Sequence, residues 1–368
     1  MNKDIIHFQS DKGDSGGISN YISLLVRSKT LLEFRQKVVV KEINKKCLML
    51  YPNQELIKLD TEYGFHNLIY KVLNIKKILD NNQFYIINSH ALRAGLLAAL
   101  IKLFYGKKFL HTNHGLRFTQ KKGLKKFCFL LIEIFILILT EEYICIRNSD
   151  YILIKKILPK KLFRKKIKII KLYLDIKNNI SNIDSTSKFQ SPFKIYGIGS
   201  LIEVKNPKKF IDWILILRKN NIKFEASWIG DGKLKNELIE YSKNKQLNIN
   251  WLGHLDKKDV YKHLSKATYL MQTSLYEVYP TVVLESFHFG TPVISTNYFG
   301  VDELINDFKN GVILYENKFD EIKITSMFKN KNKYLLMSNY CRNQFVNFHE
   351  NHKITAKFYQ NIYKKFAS

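Results

Sequence analysis

Residues 193–230 read FKIYGIGSLIEVKNPKKFIDWILILRKNNIKFEASWIG. Two apolar runs, 193–199 and 224–230, flank a segment of different period. Asn206 is a favoured N-cap type, and Pro207 suits the first helical position. Phe210, Trp213, Ile214 and Leu217 then fall on one stripe. The spacing predicts strand, helix, strand, the unit from which parallel sheets are wound.

The rhythm extends in both directions. Runs 249–252, 269–272 and 292–295 continue it toward the C-terminus. Toward the N-terminus, runs 4–8, 83–88, 108–112 and 143–146 alternate with helix-period stretches 65–79, 91–105 and 123–140. The expected class is α/β, with two Rossmann-like doubly wound domains. A length of 368 residues suits two domains. The polar, aperiodic stretch 176–191 (IKNNISNIDSTSKFQS) reads as a linker between domains at 1–175 and 192–345. Such sheets bind ligands beyond the carboxyl ends of their strands. Two of them facing each other would form a central cleft.

Composition narrows the classes. The chain is 46% hydrophobic and 25% charged, which excludes a wholly disordered or low-complexity protein. The four cysteines form no C-x-x-C pair, so neither a disulfide framework nor a zinc site is expected. The first fourteen residues, MNKDIIHFQSDKGD, carry charges within any would-be apolar core, which argues against a secretory signal and for a cytoplasmic protein. The net charge is +28 and uneven: residues 1–180 hold 33 basic and 14 acidic side chains. Residues 151–171 hold nine basic and no acidic ones. Such a field suits a polyanion or an anionic membrane, although a Lys-, Asn- and Ile-rich coding bias also raises the total.

The densest chemistry lies at 274–290, SLYEVYPTVVLESFHFG. It follows an apolar strand, and Pro280 can open a helix with Val283, Leu284 and Phe287 on its apolar face. Glu277 falls in the loop and Glu285 in the helix. A loop carboxylate can accept hydrogen bonds from sugar hydroxyls, and free N–H groups at a helix start attract phosphate. Spacing alone fits two solvated glutamates equally well.

The order of motifs around this stretch is more specific. Gly199, Leu201 and Lys205 give G-x-L-x-x-x-K; G-D-G follows at 230–232; a W-L-G strand end closes at Gly253. Glu277 and Glu285 give E-x7-E, then G-x-P-V-I at 290–294 and a turn from Gly300 to Glu303. From about 195 to 311 the chain resembles the donor domain of family-4 retaining glycosyltransferases, which have the GT-B fold. The resemblance implies that Glu285 holds the ribose hydroxyls, Glu277 orients the donor sugar, and Lys205 stabilises the departing diphosphate. It places further donor contacts at Gly199, Ser200, Gly230, Gly253, Val278, Tyr279 and Thr281. In the first half, Gly16 and Gly17 match the glycine pair that approaches the donor phosphates. His114 matches a histidine facing the donor sugar or its phosphate, with His90 and His111 as competing candidates.

Two positions depart from the family pattern. Ser200 stands where an arginine is usual, which removes one of two expected phosphate cations. Val278 follows the first glutamate where a small residue is usual. A family turn rich in Asn and Gly is replaced at 171–175 by KLYLD. No D-x-D sequence or other metal signature occurs, so the expected cofactor set is empty and the reaction metal-independent.

The stretch 123–140 (GLKKFCFLLIEIFILILT) is too short to span a bilayer and carries Glu133 within it. It fits a buried helix, or one whose outer face dips into a leaflet beside lysines. A final helix is expected at 354–366, returning to the first domain as in fold relatives. The combined expectation is a retaining hexosyltransferase acting on a nucleotide sugar and an oligosaccharide or lipid-linked acceptor. Its place would be lipopolysaccharide, capsule or O-antigen synthesis, with peripheral contact to anionic membrane. The competing expectations are a GT-B epimerase or hydrolase and a basic nucleic-acid-binding protein, but the latter lacks any binding motif.

Overall fold

The computed structural model describes residues 4–9, 16–59, 72, 85–158, 166–170 and 185–367. The chain divides into two compact units, Met1–Asp175 with Glu350–Ser368, and Ile176–His349.

In the first unit the described strands are β1 (Asp4–Gln9), β2 (Arg35–Val40), β3 (Glu55–Lys58), β4 (Tyr85–His90), β5 (Phe109–Asn113), β6 (Glu142–Cys145) and β7 (Ile167–Ile169). They form a parallel sheet in the order β3-β2-β1-β4-β5-β6-β7. The order reverses between β1 and β4, which is where such sheets present ligand sites. Helices α1 (Gly17–Arg27), α2 (Ala91–Tyr105) and α3 (Gly123–Leu139) follow β1, β4 and β5. Ile6, Phe8, Ile87, Leu97 and Phe109 lie in the core between sheet and helices. α2 ends where Gly106 takes the left-handed conformation, a common helix stop.

The second unit repeats the scheme with β8 (Phe193–Ile198), β9 (Phe224–Ile229), β10 (Ile249–Trp251), β11 (Tyr269–Gln272), β12 (Val293–Thr296) and β13 (Gly311–Leu314). Their order is β10-β9-β8-β11-β12-β13, again parallel, with the reversal between β8 and β11. Helices α4 (Pro207–Lys219), α5 (Lys257–Lys266) and α6 (Thr281–His288) flank this sheet. The stripe Phe210, Trp213, Ile214 and Leu217 on α4 is buried as the pattern requires. The two doubly wound sheets agree with the α/β expectation.

Several details differ from the sequence expectations. Asn206 sits at the N-cap of α4 but adopts φ 48°, and its side chain makes no capping bond. Its turn is set by the preceding 3-10 turn Glu203–Lys205, and Pro207 still occupies the first helical position. Residues 185–191, read as linker, belong to the second unit. There Lys188 is buried and donates to the Phe289 carbonyl (2.9 Å) and Thr291 Oγ1 (2.7 Å), tying this segment to the end of α6. The final helix, α7, runs from Lys331 to Ala367 rather than starting at 354. Its last turns belong to the first unit and are bonded within it: Tyr359 Oη lies 2.9 Å from Tyr21 Oη and from Thr112 Oγ1, and Asn88 Nδ2 donates to Tyr363 Oη at 2.9 Å. Strands β2, β3, β7 and β13 had not been expected. The predicted helix at 65–79 and the replaced turn at 171–175 fall outside the described residues, apart from Val72.

Candidate functional site

In the second unit the reversal of strand order puts the loop after β8 beside the loop after β11, because Gly197 pairs with Met271. The first loop carries Lys205 on a 3-10 turn; the second carries Glu277. The two loops are tied by backbone, since Leu275 N donates to the Val204 carbonyl at 2.9 Å. Thr273 Oγ1 donates to the Lys205 carbonyl at 3.0 Å. Lys205 Nζ then reaches Glu277 Oε1 at 2.5 Å. The same oxygen accepts from Gln272 Nε2 (2.8 Å) and Ser274 Oγ (2.7 Å). These three donors, one of them charged, hold that oxygen in a partly buried position.

The glycines of the sequence motifs hold this loop layer together. Gly230 N donates to the Gly253 carbonyl at 2.7 Å, and Leu201 N to the Asp231 carbonyl at 2.9 Å. A Cβ on Gly230, whose φ is 133°, would lie 2.0 Å from the Gly199 carbonyl oxygen. A Cβ on Gly232 would lie 2.5 Å from the Leu201 oxygen. The G-x-L, G-D-G and W-L-G elements are therefore one interlocked layer, and two of these glycines are required by neighbouring backbone.

Glu285 lies inside α6 and is 7% exposed, so it is not a solvated surface carboxylate. Burial pushes its pKa up, and Lys257 at the start of α5 opposes this, with Nζ 3.6 Å from Oε1. Pro280, at the N-cap, supplies no side-chain cap to α6. Thr281 and Val282 open the first turn, where a helix leaves N–H groups without intrahelical partners, whereas Val283 N already donates to the Pro280 carbonyl at 3.1 Å. Val278 and Tyr279 are partly buried before this turn, and Ser200 is exposed after Gly199. The cations around the first loop are Lys205, Lys233 (2.7 Å from Glu203 Oε1) and Lys235 (2.9 Å from Asp231 Oδ2).

In the first unit, Gly16 has φ 98° and stands at the N-cap of α1. A Cβ on Gly17 would meet nothing within 4 Å, so the protein itself does not require glycine there. Its absence leaves open space at a helix N-terminus, an arrangement suited to an approaching anion. His114 follows β5. Asn113 Oδ1 accepts from Gly115 N at 2.6 Å, while Asn113 Nδ2 donates to Tyr143 Oη (2.6 Å) and Glu133 Oε1 (3.0 Å). Glu133 also accepts a short hydrogen bond from Tyr143. Its carboxyl is pushed up to about 7 by burial. The charge that interrupts the apolar run of α3 therefore points inward and braces the His114 turn. His90 is fully buried and lies 3.2 Å from His114. His111 is buried too, bonded to Ser89 Oγ at 3.0 Å. Of the three candidate histidines, His114 is the one with surface exposed.

Helix α3 is half core and half surface. Glu133, Ile136 and Leu137 are buried, whereas Leu124, Phe127 and Leu131 are exposed beside Lys121, Lys122, Lys125 and Lys126. Of the basic cluster at 151–171, residues 159–165 and 171 lie outside the described residues. No described helix is long and apolar enough to cross a membrane. Among the described residues no three His, Cys, Asp or Glu side chains converge as a metal site.

Sequence reading missed Gln272 and Ser274 as partners of Glu277, although both stand within five residues of it. It also missed Lys257 and Asn113, for which local pattern offered no signal, and it noted Glu133 only as a charge within an apolar run.

Residues 179–344 match the family described as Glycosyl transferases group 1. The chain is 33% identical over 153 residues to a Campylobacter jejuni protein named GalNAc-alpha-(1->4)-GalNAc-alpha-(1->3)-diNAcBac-PP-undecaprenol alpha-1,4-N-acetyl-D-galactosaminyltransferase. That stretch covers 40% of this chain and 41% of the relative, about two-fifths of its length. It is 27% identical over 295 residues to an Escherichia coli UDP-Gal:alpha-D-GlcNAc-diphosphoundecaprenol alpha-1,3-galactosyltransferase, covering 75% of this chain and 74% of the relative. Among solved structures, Anabaena HepE in complex with UDP and glucose superposes with TM-score 0.76 at 13% identity, covering 99% of this chain and 100% of that one. The last likeness is one of fold.

Proposed function

We propose that this chain, which carries a group 1 glycosyltransferase domain on the GT-B fold, transfers a hexose-type residue from a nucleoside diphosphate sugar to a hydroxyl acceptor with retention. The observation that carries the reading is the fixed Lys205–Glu277 pair at the strand-order reversal of the second sheet. Lys205 and the N–H groups at the start of α6 offer positive potential to a diphosphate, which gains charge as the glycosidic bond breaks. Glu277 orients the sugar, and Glu285 accepts from the ribose hydroxyls. The glycine pair opening α1 gives the phosphates room, and His114 touches the sugar. The acceptor oxygen attacks on the face the diphosphate leaves; the anomeric C–O bond breaks, and the acceptor proton passes to a diphosphate oxygen. This route follows the family resemblance and uses no covalent nucleophile. Cations and amides carry the electrostatic load in this reading, so we assign no step to a metal.

The undecaprenol-linked substrates in the relatives' names support a lipid-linked acceptor, and with it cell-surface polysaccharide or lipopolysaccharide synthesis on the inner face of the cytoplasmic membrane. The exposed start of α3 supports peripheral docking there. The test is incubation with UDP-galactose or UDP-N-acetylgalactosamine and an undecaprenyl-diphosphate-linked acceptor, with the product linkage read by NMR. An α-linked product supports the reading, and a β-linked one overturns retention. Release of UDP with no glycosylated acceptor points instead to a hydrolase or epimerase.

A further inference from the structure

Three buried or partly buried histidines stand in line across the first sheet. Gln36 on β2 donates through Nε2 to the Leu31 carbonyl at 3.3 Å, which turns its Oε1 toward His7 on β1. Oε1 lies 3.0 Å from His7 Nε2, so that nitrogen carries a proton. Burial pushes the His7 pKa down to about 4, so the ring is neutral and Nδ1 holds a lone pair. His7 Nδ1 lies 3.2 Å from His90 Nε2, which must therefore be the donor. Burial also holds His90 well below the ordinary histidine range, leaving its Nδ1 an acceptor. His90 Nδ1 lies 3.2 Å from His114 Nε2, which must donate in turn. His114 is pushed down to about 3 by burial, so its Nδ1 is unprotonated.

We propose that Gln36, His7 and His90 are positioning residues which place the single proton of His114 on Nε2, leaving Nδ1 as a hydroxyl-selective acceptor. Because Nε2 is occupied by His90, a ligand reaches this ring through Nδ1. A lone pair attracts an O–H donor and repels a phosphate oxygen, which is itself an acceptor. The Tyr21 ring packs in T-shaped contact with both rings, with centroids 5.1 Å from His114 and 5.9 Å from His90, and limits their rotation. His114 thus reads a sugar hydroxyl and not the diphosphate. That ligand class rests on the proposed transfer reaction; the proton order does not.

The proton order is measured on the wild-type chain labelled with 15N-histidine, at neutral pH. The expected spectrum shows one N–H on Nε2 of each of His7, His90 and His114, with coupling across the two histidine–histidine hydrogen bonds, from His114 Nε2 to His90 Nδ1 and from His90 Nε2 to His7 Nδ1. A proton on His114 Nδ1, or a doubly protonated ring, overturns the proposal whatever reaction the protein catalyses. Adding UDP alone should leave His114 neutral; its protonation by UDP would show a phosphate contact and overturn the hydroxyl assignment. In turnover, His90→Gln keeps an acceptor for His114, while His90→Phe only fills the volume. The expected result is kcat at least tenfold higher for the Gln variant, at equal UDP affinity. Equal kcat, or a better Phe variant, makes the role purely structural. Lack of turnover in the wild type with intact couplings would overturn the transfer reading and leave the relay standing.

Discussion

Lys205 Nζ and Glu277 Oε1 lie 2.5 Å apart although the two residues are 72 positions apart in the chain. The contact exists because β8 and β11 are neighbours in the sheet, so two loops that are distant in sequence leave it side by side. Removing the lysine leaves Glu277 its Gln272 and Ser274 donors, so the loop should persist while the cation is lost. Loss of one preorganised electrostatic donor costs about 10²–10³ in turnover. Lys205→Met should therefore lower kcat by about that factor with a smaller change in donor KM. Steady-state kinetics at saturating donor checks this, and near-normal kcat would move the phosphate role to another cation. The same assay with a chelator added should show unchanged wild-type turnover.

Glu285 should govern nucleotide affinity. Hydrogen bonds to a charged acceptor contribute about 1.5–3 kcal/mol, so Glu285→Ala should raise the UDP dissociation constant about tenfold or more. Its raised pKa adds a pH dependence. Affinity should weaken as the pH falls, beginning at a higher pH than an ordinary carboxylate would give. Lys257→Met removes the cation that opposes the rise and should move the onset higher still. Calorimetry across a pH series reads both effects.

The first unit should be acid-labile. His7, His111 and His114 are held down at about 4, 3 and 3, and His90 well below its ordinary value, all chiefly by burial. The unfolded chain takes up these protons near pH 6.5 and the folded chain does not. Their contribution to stability is therefore full above about 6.5 and is lost as the pH falls toward the folded-state values. Glu133 acts in the opposite sense. Its folded value of about 7 lies above the unfolded one, so its contribution is full below about 4.5 and lost as the pH rises through 7. Four histidines outweigh one carboxyl, and the thermal midpoint should drop between pH 7 and pH 5. In Glu133→Gln the offset is gone, and the drop should be larger.

Membrane docking should depend on the exposed start of α3. Leu124 is 77% and Phe127 56% exposed, beside four lysines. Full-length protein should sediment with vesicles containing anionic lipid at low salt and be released by 1 M salt, where the Debye length is about 3 Å. Leu124→Ser with Phe127→Ser should reduce the binding that survives moderate salt. Turnover on a water-soluble acceptor should be unaffected. Wild-type protein that ignores anionic vesicles at low salt would leave α3 a plain scaffold helix.

Gly230→Ala should lower donor affinity without touching a ligand. The added Cβ would sit 2.0 Å from the Gly199 carbonyl oxygen, at a φ of 133° that L-residues rarely adopt. The Gly199 loop must shift, carrying the Lys205 turn with it. The expected result is a higher Kd for UDP and a lowered thermal midpoint, measured together by calorimetry.

The sequence by itself determined the alternation of strand and helix, the α4 stripe, and the order of the donor-domain motifs. These are local: a period of 3.6 or 2, a proline at a helix start, glycines at turns. It placed Glu277 in a loop and Glu285 in a helix, and α2 over the same residues that form it. Short strands such as β7 (IKI) and β13 (GVIL) escaped because three or four residues carry too little pattern. Only the tertiary structure decided which loops meet. A parallel sheet whose strand order reverses joins β8 to β11 and β1 to β4, and nothing in the spacing of Lys205 and Glu277, or of His7, His90 and His114, encodes that adjacency. It also decided burial: Glu285 could have been a solvated glutamate, and Glu133 an obstacle on a lipid-facing helix. Packing turned the first toward Lys257 and the second toward Asn113 and Tyr143, because a buried carboxyl is tolerated only where donors await it.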